Sequence, residues 1–164
     1  MIIVHGDLLK TPFQIIAHQV NCQGIMGAGL AKSIKEKYPD VYSIYKQFCT
    51  DNHNNESLLG AAIGVVTEDK HIIYNLFGQY IWGRDIRQTD YDAFQRSVIR
   101  MISDIRYDGD DELTLYIAIP YGIGCGLAGG DWEIIKKILE EIEEKYNVLF
   151  IAYDIRREIN GILD

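Results

Sequence analysis

A chain of 164 residues fits one compact domain, long enough to bury a core without disulfide or metal staples and too short for two comfortable ones. It is 48% hydrophobic, 24% charged and 11% aromatic, close to globular usage, which excludes disorder, collagen-like repeats and a coiled coil. A formal charge of −8 and a pI near 4.9 disfavour a protein held to nucleic-acid phosphates by its overall field.

The expected elements alternate. Strands are predicted at Ile2 to His5, Gln14 to Val20, Gly60 to Val66, His71 to Phe77, Glu112 to Ile119 and Val148 to Tyr153, each a short β-branched or aromatic run bounded by turn signals. Helices are predicted from Ala28 to Lys37 and from Val41 to Phe48, with Pro39 between them. Thr50 to Ser57 and Tyr107 to Asp111 read as loops, and Gln79 to Gln88 as a flexible flap beside a site. After Thr89 and Asp90, a cap pair, Phe94, Val98, Met101, Ile102 and Ile105 recur at helical spacing. From Asp131, a last helix carries Trp132, Ile135, Leu139, Ile142 and Tyr146 on one stripe. The pattern predicts an α/β fold, a mixed sheet of about six strands covered by helices on both faces, over residues 1–164 as a single domain.

No apolar stretch reaches the ~18 residues of a membrane span, and Met1 runs directly into Ile2 with no basic segment, so no membrane or export segment is expected. Cys22, Cys49 and Cys125 form no CxxC pair, and an odd count suits a reducing compartment, the cytoplasm. His5, His18, His53 and His71 are scattered without paired ligand spacing, so neither metal nor cofactor is expected.

The chemistry-bearing signal is an echo. Gly27-Ala28-Gly29-Leu30-Ala31 comes after the second strand, and Gly124-Cys125-Gly126-Leu127-Ala128 after the fifth. Between a strand and a helix, glycines permit positive φ and bring backbone N–H groups close to a ligand, and the helix N-terminus adds partial positive charge. Two such loops beyond the carboxyl ends of strands could converge on one pyrophosphate, which makes a nucleotide diphosphate the leading ligand class; the alternative is that the glycines only permit tight turns. Leu30-Ala31 stands where a P-loop needs Lys-Ser/Thr. Cys22 and Cys125 lack the arginine six positions on that a cysteine phosphatase uses, and read as buried thiols. Gly124, Gly126 and Gly129 with Asp154 match a dinucleotide fingerprint formally, but near the wrong end of the chain.

Four strings, Gly6-Asp7-Leu8-Leu9, Ala17-His18-Gln19-Val20-Asn21, Gly27-Ala28-Gly29 and Pro120-Tyr121-Gly122-Ile123-Gly124-Cys125-Gly126-Leu127, occur in one order at characteristic separations, and the chain from Ile2 to about Tyr153 resembles a macro domain. The resemblance implies an ADP-ribose ligand. It implies that Asp7, with Leu8 beside it, accepts a hydrogen bond from the adenine amino group, that Asn21 lies near the distal ribose, and that Tyr153 lines the adenine pocket. Gly27, Ala28 and Gly29 would form one phosphate loop, and Gly122, Ile123, Gly124, Cys125, Gly126 and Leu127 the other. The spelling is nearest to the branch containing ADP-ribose 1''-phosphate phosphatases and the terminal ADP-ribose glutamate hydrolase. The hydrolase's lysine and aspartate are replaced by Gly78-Gln79 and Ala128, whereas His18 fits the phosphatases' histidine and Asp131 could supply the carboxylate. The resemblance therefore points to hydrolysis of ADP-ribose 1''-phosphate by His18 and Asp131. It leaves open release of ADP-ribose from protein or nucleic acid, and a catalytically silent ADP-ribose sensor. Nucleic acid enters only if it carries ADP-ribose.

Overall fold

The computed structural model describes residues 1–106 and 113–157. Its strands are β1 (Ile2–His5), β2 (Ile15–Asn21), β3 (Ala62–Val66), β4 (Ile72–Gln79), β5 (Leu115–Pro120) and β6 (Val148–Asp154), and its helices are α1 (Gly29–Lys37), α2 (Pro39–Asp51), α3 (Tyr91–Ile105) and α4 (Trp132–Tyr146). The strands form one sheet in the order β1-β6-β5-β2-β4-β3, parallel except for the antiparallel edge strand β3. The mixed sheet of six strands between helices expected from the alternating pattern is the one observed. Among the described residues no helix is long and apolar enough to cross a membrane.

Alternation along the strands puts apolar core on both faces of the sheet. Ala17, Leu76, Ile117, Ile119 and Phe150 pack with Phe94, Val98, Met101 and Ile102 of α3 and Ile135, Leu139 and Ile142 of α4. Their neighbours Ile16, Ile73 and Ala118 turn to the other face, against Ile34 of α1 and Val41 of α2. Because β2 and β4 are covered on both sides, they are buried almost throughout, and the half-buried Gln19 interrupts the run on β2.

Boundaries differ from expectation where hydrogen bonding decides them. Gly60 has φ 88 and its N–H donates to the Phe77 carbonyl, so the chain is still turning there and β3 begins only at Ala62. β4 runs on to Gln79 because an irregularity at Val20/Asn21 of β2 keeps the pairing alive. Pro39 opens α2 rather than merely separating two helices, since its missing N–H is needed least at the first helical position. The expected 50–57 loop is shortened by α2 at one end and by a 3-10 turn, Glu56–Leu58, at the other. Tyr107 to Asp111, and Glu112 at the head of the expected fifth strand, lie outside the described residues.

Both long helices start where the cap residues sit. The Asp90 carboxylate accepts from Ala93 N at 2.8 Å, and that of Asp131 from Glu133 N at 2.9 Å. The parallel strands β1, β6, β5, β2 and β4 all point the same way, so the segments leaving their carboxyl ends gather at one edge of the sheet, which is where the glycine loops lie.

Candidate functional site

The loops after β2 and β5 face one another across a cavity of about 880 Å³. Gly27, Ala28 and Gly29 line one side, and Gly122, Ile123, Gly124, Gly126 and Leu127 the other. Gly29 opens α1, with φ 55 and the N–H groups of the first helical turn behind it. In the second loop, Cys125 N donates to Gly122 O, Gly129 N to Gly126 O and Gly130 N to Gly124 O, which curls the chain back on itself. The N–H groups of Gly124, Gly126 and Leu127 donate to no acceptor among the described residues. Such a cradle of free amides beside a helix N-terminus suits an anion.

The glycines serve different ends. Gly122 and Gly124 have φ 70 and 73, and a Cβ on Gly124 would come within 2.7 Å of Gln19 Oε1, so the backbone and its neighbour both require glycine there. Gly126 has no positive φ, and a Cβ on it would meet nothing within 4 Å. Any requirement for glycine at Gly126 belongs to what enters the cavity.

His18 and Asn21 also line the cavity, whereas Asp7, Leu8, Cys125, Asp131 and Tyr153 do not. Asp7 stands just past β1 on the same sheet edge; its Oδ1 accepts from Leu9 N at 2.9 Å and caps a 3-10 turn that buries Leu8. The Tyr153 hydroxyl accepts from Thr11 Oγ1 at 2.8 Å. Asn21 holds its own loop together, with Oδ1 accepting from Gln23 N and the Tyr45 hydroxyl and Nδ2 donating to Ile25 O. Asp131 is exposed and engaged in its helix cap, so the structure does not bring it to the cavity beside His18.

His18 is 2% exposed, and its Nε2 lies 2.8 Å from Asn75 Oδ1. That oxygen can only accept, so Nε2 carries the proton and Nδ1 keeps its lone pair. Burial pulls the His18 pKa down to about 4, against a smaller upward pull from the Asn75 bond, and the ring is neutral at physiological pH. Burial pushes the Cys125 thiol up to about 11, aided by the nearby Asp131 charge, and pushes Cys22 up to about 12. Neither is poised as a thiolate nucleophile.

Three contributors were not singled out in the sequence as site residues. Gln19, Gln79 and Thr89 form a hydrogen-bonded chain beside Gly124, joining positions 60 and 70 residues apart. No short motif records such a contact. The expected flap does lie at the cavity, where Trp82, Gly83, Arg84 and Asp85 form part of its wall. The chain on either side is tied down by Cys22 N donating to Tyr80 O and Gln88 N to Ala128 O.

No family model matches the sequence. The chain is 30% identical over 165 residues to a Mycobacterium tuberculosis protein named DNA ADP-ribosyl glycohydrolase, an alignment covering 96% of this chain and 44% of that one, so it spans less than half of that relative's length. It is 27% identical to the ADP-ribose 1''-phosphate phosphatase of Scheffersomyces stipitis over 90% of this chain and 98% of that one. Among solved structures, the macrodomain of Mycobacterium tuberculosis DarG superposes with a TM-score of 0.73 at 24% identity, covering 93% of this chain and 97% of that one.

Proposed function

The chain is a macro domain by fold, and on that premise we propose that it binds ADP-ribose and hydrolyses a derivative of it, ADP-ribose 1''-phosphate, to ADP-ribose and phosphate. The observation that carries the reading is the pair of glycine loops lining one cavity, with free amides on the second and a helix N-terminus on the first. A pyrophosphate between them has donors on both sides. The phosphatase relative is nearly coextensive with this chain, and a charge of −8 works against a polyanionic macromolecular substrate, which sets the small phosphomonoester first. Removal of ADP-ribose from DNA is the second reading, favoured by the 30% likeness to the mycobacterial glycohydrolase. Three free cysteines suit the cytoplasm.

In the phosphatase reaction, water attacks phosphorus, the bond from phosphorus to the 1'' oxygen breaks, and that oxygen takes the proton that the attacking water gives up. The cavity's neutral His18, held by Asn75 through Nε2, offers Nδ1 to orient the water, and loop amides offset the charge growing on the phosphoryl oxygens. Asp131 we assign to capping rather than to an acid–base pair. Asp131→Asn keeps a capping side chain, and phosphate release within about threefold of the parental rate is expected; a loss of ~10²- to 10⁴-fold would return the carboxylate to the reaction. The test of function is incubation with ADP-ribose 1''-phosphate and, separately, with ADP-ribosylated DNA and protein, with identification of the products. Phosphate from the first is the expected result. ADP-ribose freed from DNA instead would establish the second reading, and binding without any turnover would make the protein a sensor.

At the other end of the ligand we place adenine near Asp7, Leu8 and Tyr153, which the parallel strands β1 and β6 carry to the same edge as the loops. An acceptor-only carboxylate there suits the adenine amino group. Asp7→Ala is expected to weaken ADP-ribose binding by about 1.5 to 3 kcal/mol, roughly ten- to a hundredfold, read by calorimetry. Unchanged affinity would move adenine elsewhere.

A further inference from the structure

Thr89 Oγ1 lies 2.6 Å from Gly124 O, Gln19 Nε2 lies 2.9 Å from Thr89 Oγ1 and 3.0 Å from Gln79 Oε1, and Gln79 Nε2 lies 2.9 Å from Ile81 O. The direction of every bond in this chain is set by its two ends. A carbonyl can only accept, so the Thr89 hydroxyl must give its one proton to Gly124 O. The Thr89 oxygen is then an acceptor, and Gln19 must turn its NH₂ toward it. The second hydrogen of that NH₂ goes to Gln79 Oε1, which leaves the Gln79 NH₂ facing Ile81 O. Gln19 pays for this orientation with an Oε1 that is buried and has no partner. Rotating its amide would set that oxygen against two acceptors, so the orientation persists.

The outcome is a fixed polarity at the cavity wall. Gln79 is half-buried and lines the cavity, and one of its amide hydrogens has no acceptor among the described residues. We propose that Gln79 is a specificity-determining residue that donates a hydrogen bond to an oxygen of the bound ADP-ribose, and that Gln19 and Thr89 are positioning residues that hold it as a donor by reference to the Gly124 carbonyl. The inference rests on ADP-ribose as the ligand. It selects for an oxygen acceptor at this point and against a ligand that presents an N–H there. It also explains two glycines: a Cβ on Gly78 or Gly124 would come within 2.5 or 2.7 Å of Gln19 Oε1.

Calorimetry with ADP-ribose, with a thermal melt of each protein as the folding control, tests it. Gln79→Glu still accepts from Gln19 but has no hydrogen to donate and brings a negative charge, and at least a tenfold loss of affinity is expected. Gln79→Met, which removes the donor without adding charge, gives the same direction if the glutamate variant fails to fold. Thr89→Val keeps the shape and breaks the reference to Gly124, and a three- to tenfold loss is expected, restored by Thr89→Ser. The Gln79→Met/Thr89→Val double variant should bind no worse than Gln79→Met alone, because the positioning residue acts only through Gln79. Parental affinity in Gln79→Met, or losses that simply add in the double variant, would overturn the inference while leaving ADP-ribose binding intact. A parental protein that fails to bind ADP-ribose would overturn it together with the proposed function.

Discussion

A Gly126→Glu protein should fold with parental stability and lose ADP-ribose binding by more than a hundredfold. The fold should tolerate the change because Gly126 is exposed, its φ lies outside the left-handed region, and a Cβ there meets nothing within 4 Å. Neither backbone strain nor a clash with protein atoms opposes the side chain. The ligand supplies the penalty. Gly126 lines the cavity between two free loop amides, those of Gly124 and Leu127, where the proposed pyrophosphate carries its charge. At ~4 Å and an effective dielectric of ~20, two like unit charges repel by about 4 kcal/mol, more than the ~2.7 kcal/mol that corresponds to a hundredfold. Gly126→Gln separates bulk from charge and should bind more tightly than the glutamate variant, with the gap between them narrowing as salt is raised. Calorimetry gives the affinities and a thermal melt the stability. A folded Gly126→Glu protein that binds like its parent would put the phosphate site somewhere other than these loops.

The same residue shows what a sequence displays and what it withholds. The echo of the two glycine strings was legible, and so was the apolar stripe of Ile135, Leu139 and Ile142 on α4, because each is a local pattern whose period is set by backbone geometry. That glycine is forced by the backbone at Gly124 but not at Gly126 could not be read from the string Gly-Cys-Gly, since φ and the neighbouring Gln19 amide belong to the folded state. Asp131 illustrates a second limit. An aspartate three positions after Ala128 fits a catalytic carboxylate and a helix cap equally well, and the features that favour the cap, the 2.9 Å bond from Glu133 N and its absence from the cavity wall, belong to the folded state. The Gln19–Gln79–Thr89 chain was invisible for a simpler reason. Its members belong to β2, to β4 and to the segment before α3, and only the pairing of β2 with β4 and the bridge between Gln79 and Thr89 bring them together. Asp7 and Tyr153 remain placed by resemblance and by the parallel direction of β1 and β6 rather than by a contact with the cavity.

Acidification should destabilise the protein through His18 by about 3 kcal/mol between about pH 7 and about pH 4. Burial holds its pKa at about 4 in the folded state, whereas the unfolded chain titrates near the ordinary 6.5. Between those values the unfolded state binds a proton that the folded state refuses, so stability rises with pH there. The contribution is complete above about 6.5 and is lost as pH falls toward 4. His18→Gln supplies the comparison, since its amide can still donate to Asn75 while carrying no titratable group. Urea denaturation at both pH values should show the variant destabilised at neutral pH by the changed packing, with that deficit shrinking by about 3 kcal/mol, or reversing, at about pH 4. Carboxylates such as Asp154, which its Arg156 partner holds at about 2, are present in both proteins and cancel in the difference. The same shift constrains the reaction. A ring that is neutral throughout the physiological range can orient water through Nδ1 but is no source of protons, so the parental turnover should show no limb near pH 6.5. Equal pH dependence of stability in parent and variant would mean that His18 titrates normally, and a proton-donating role would then reopen.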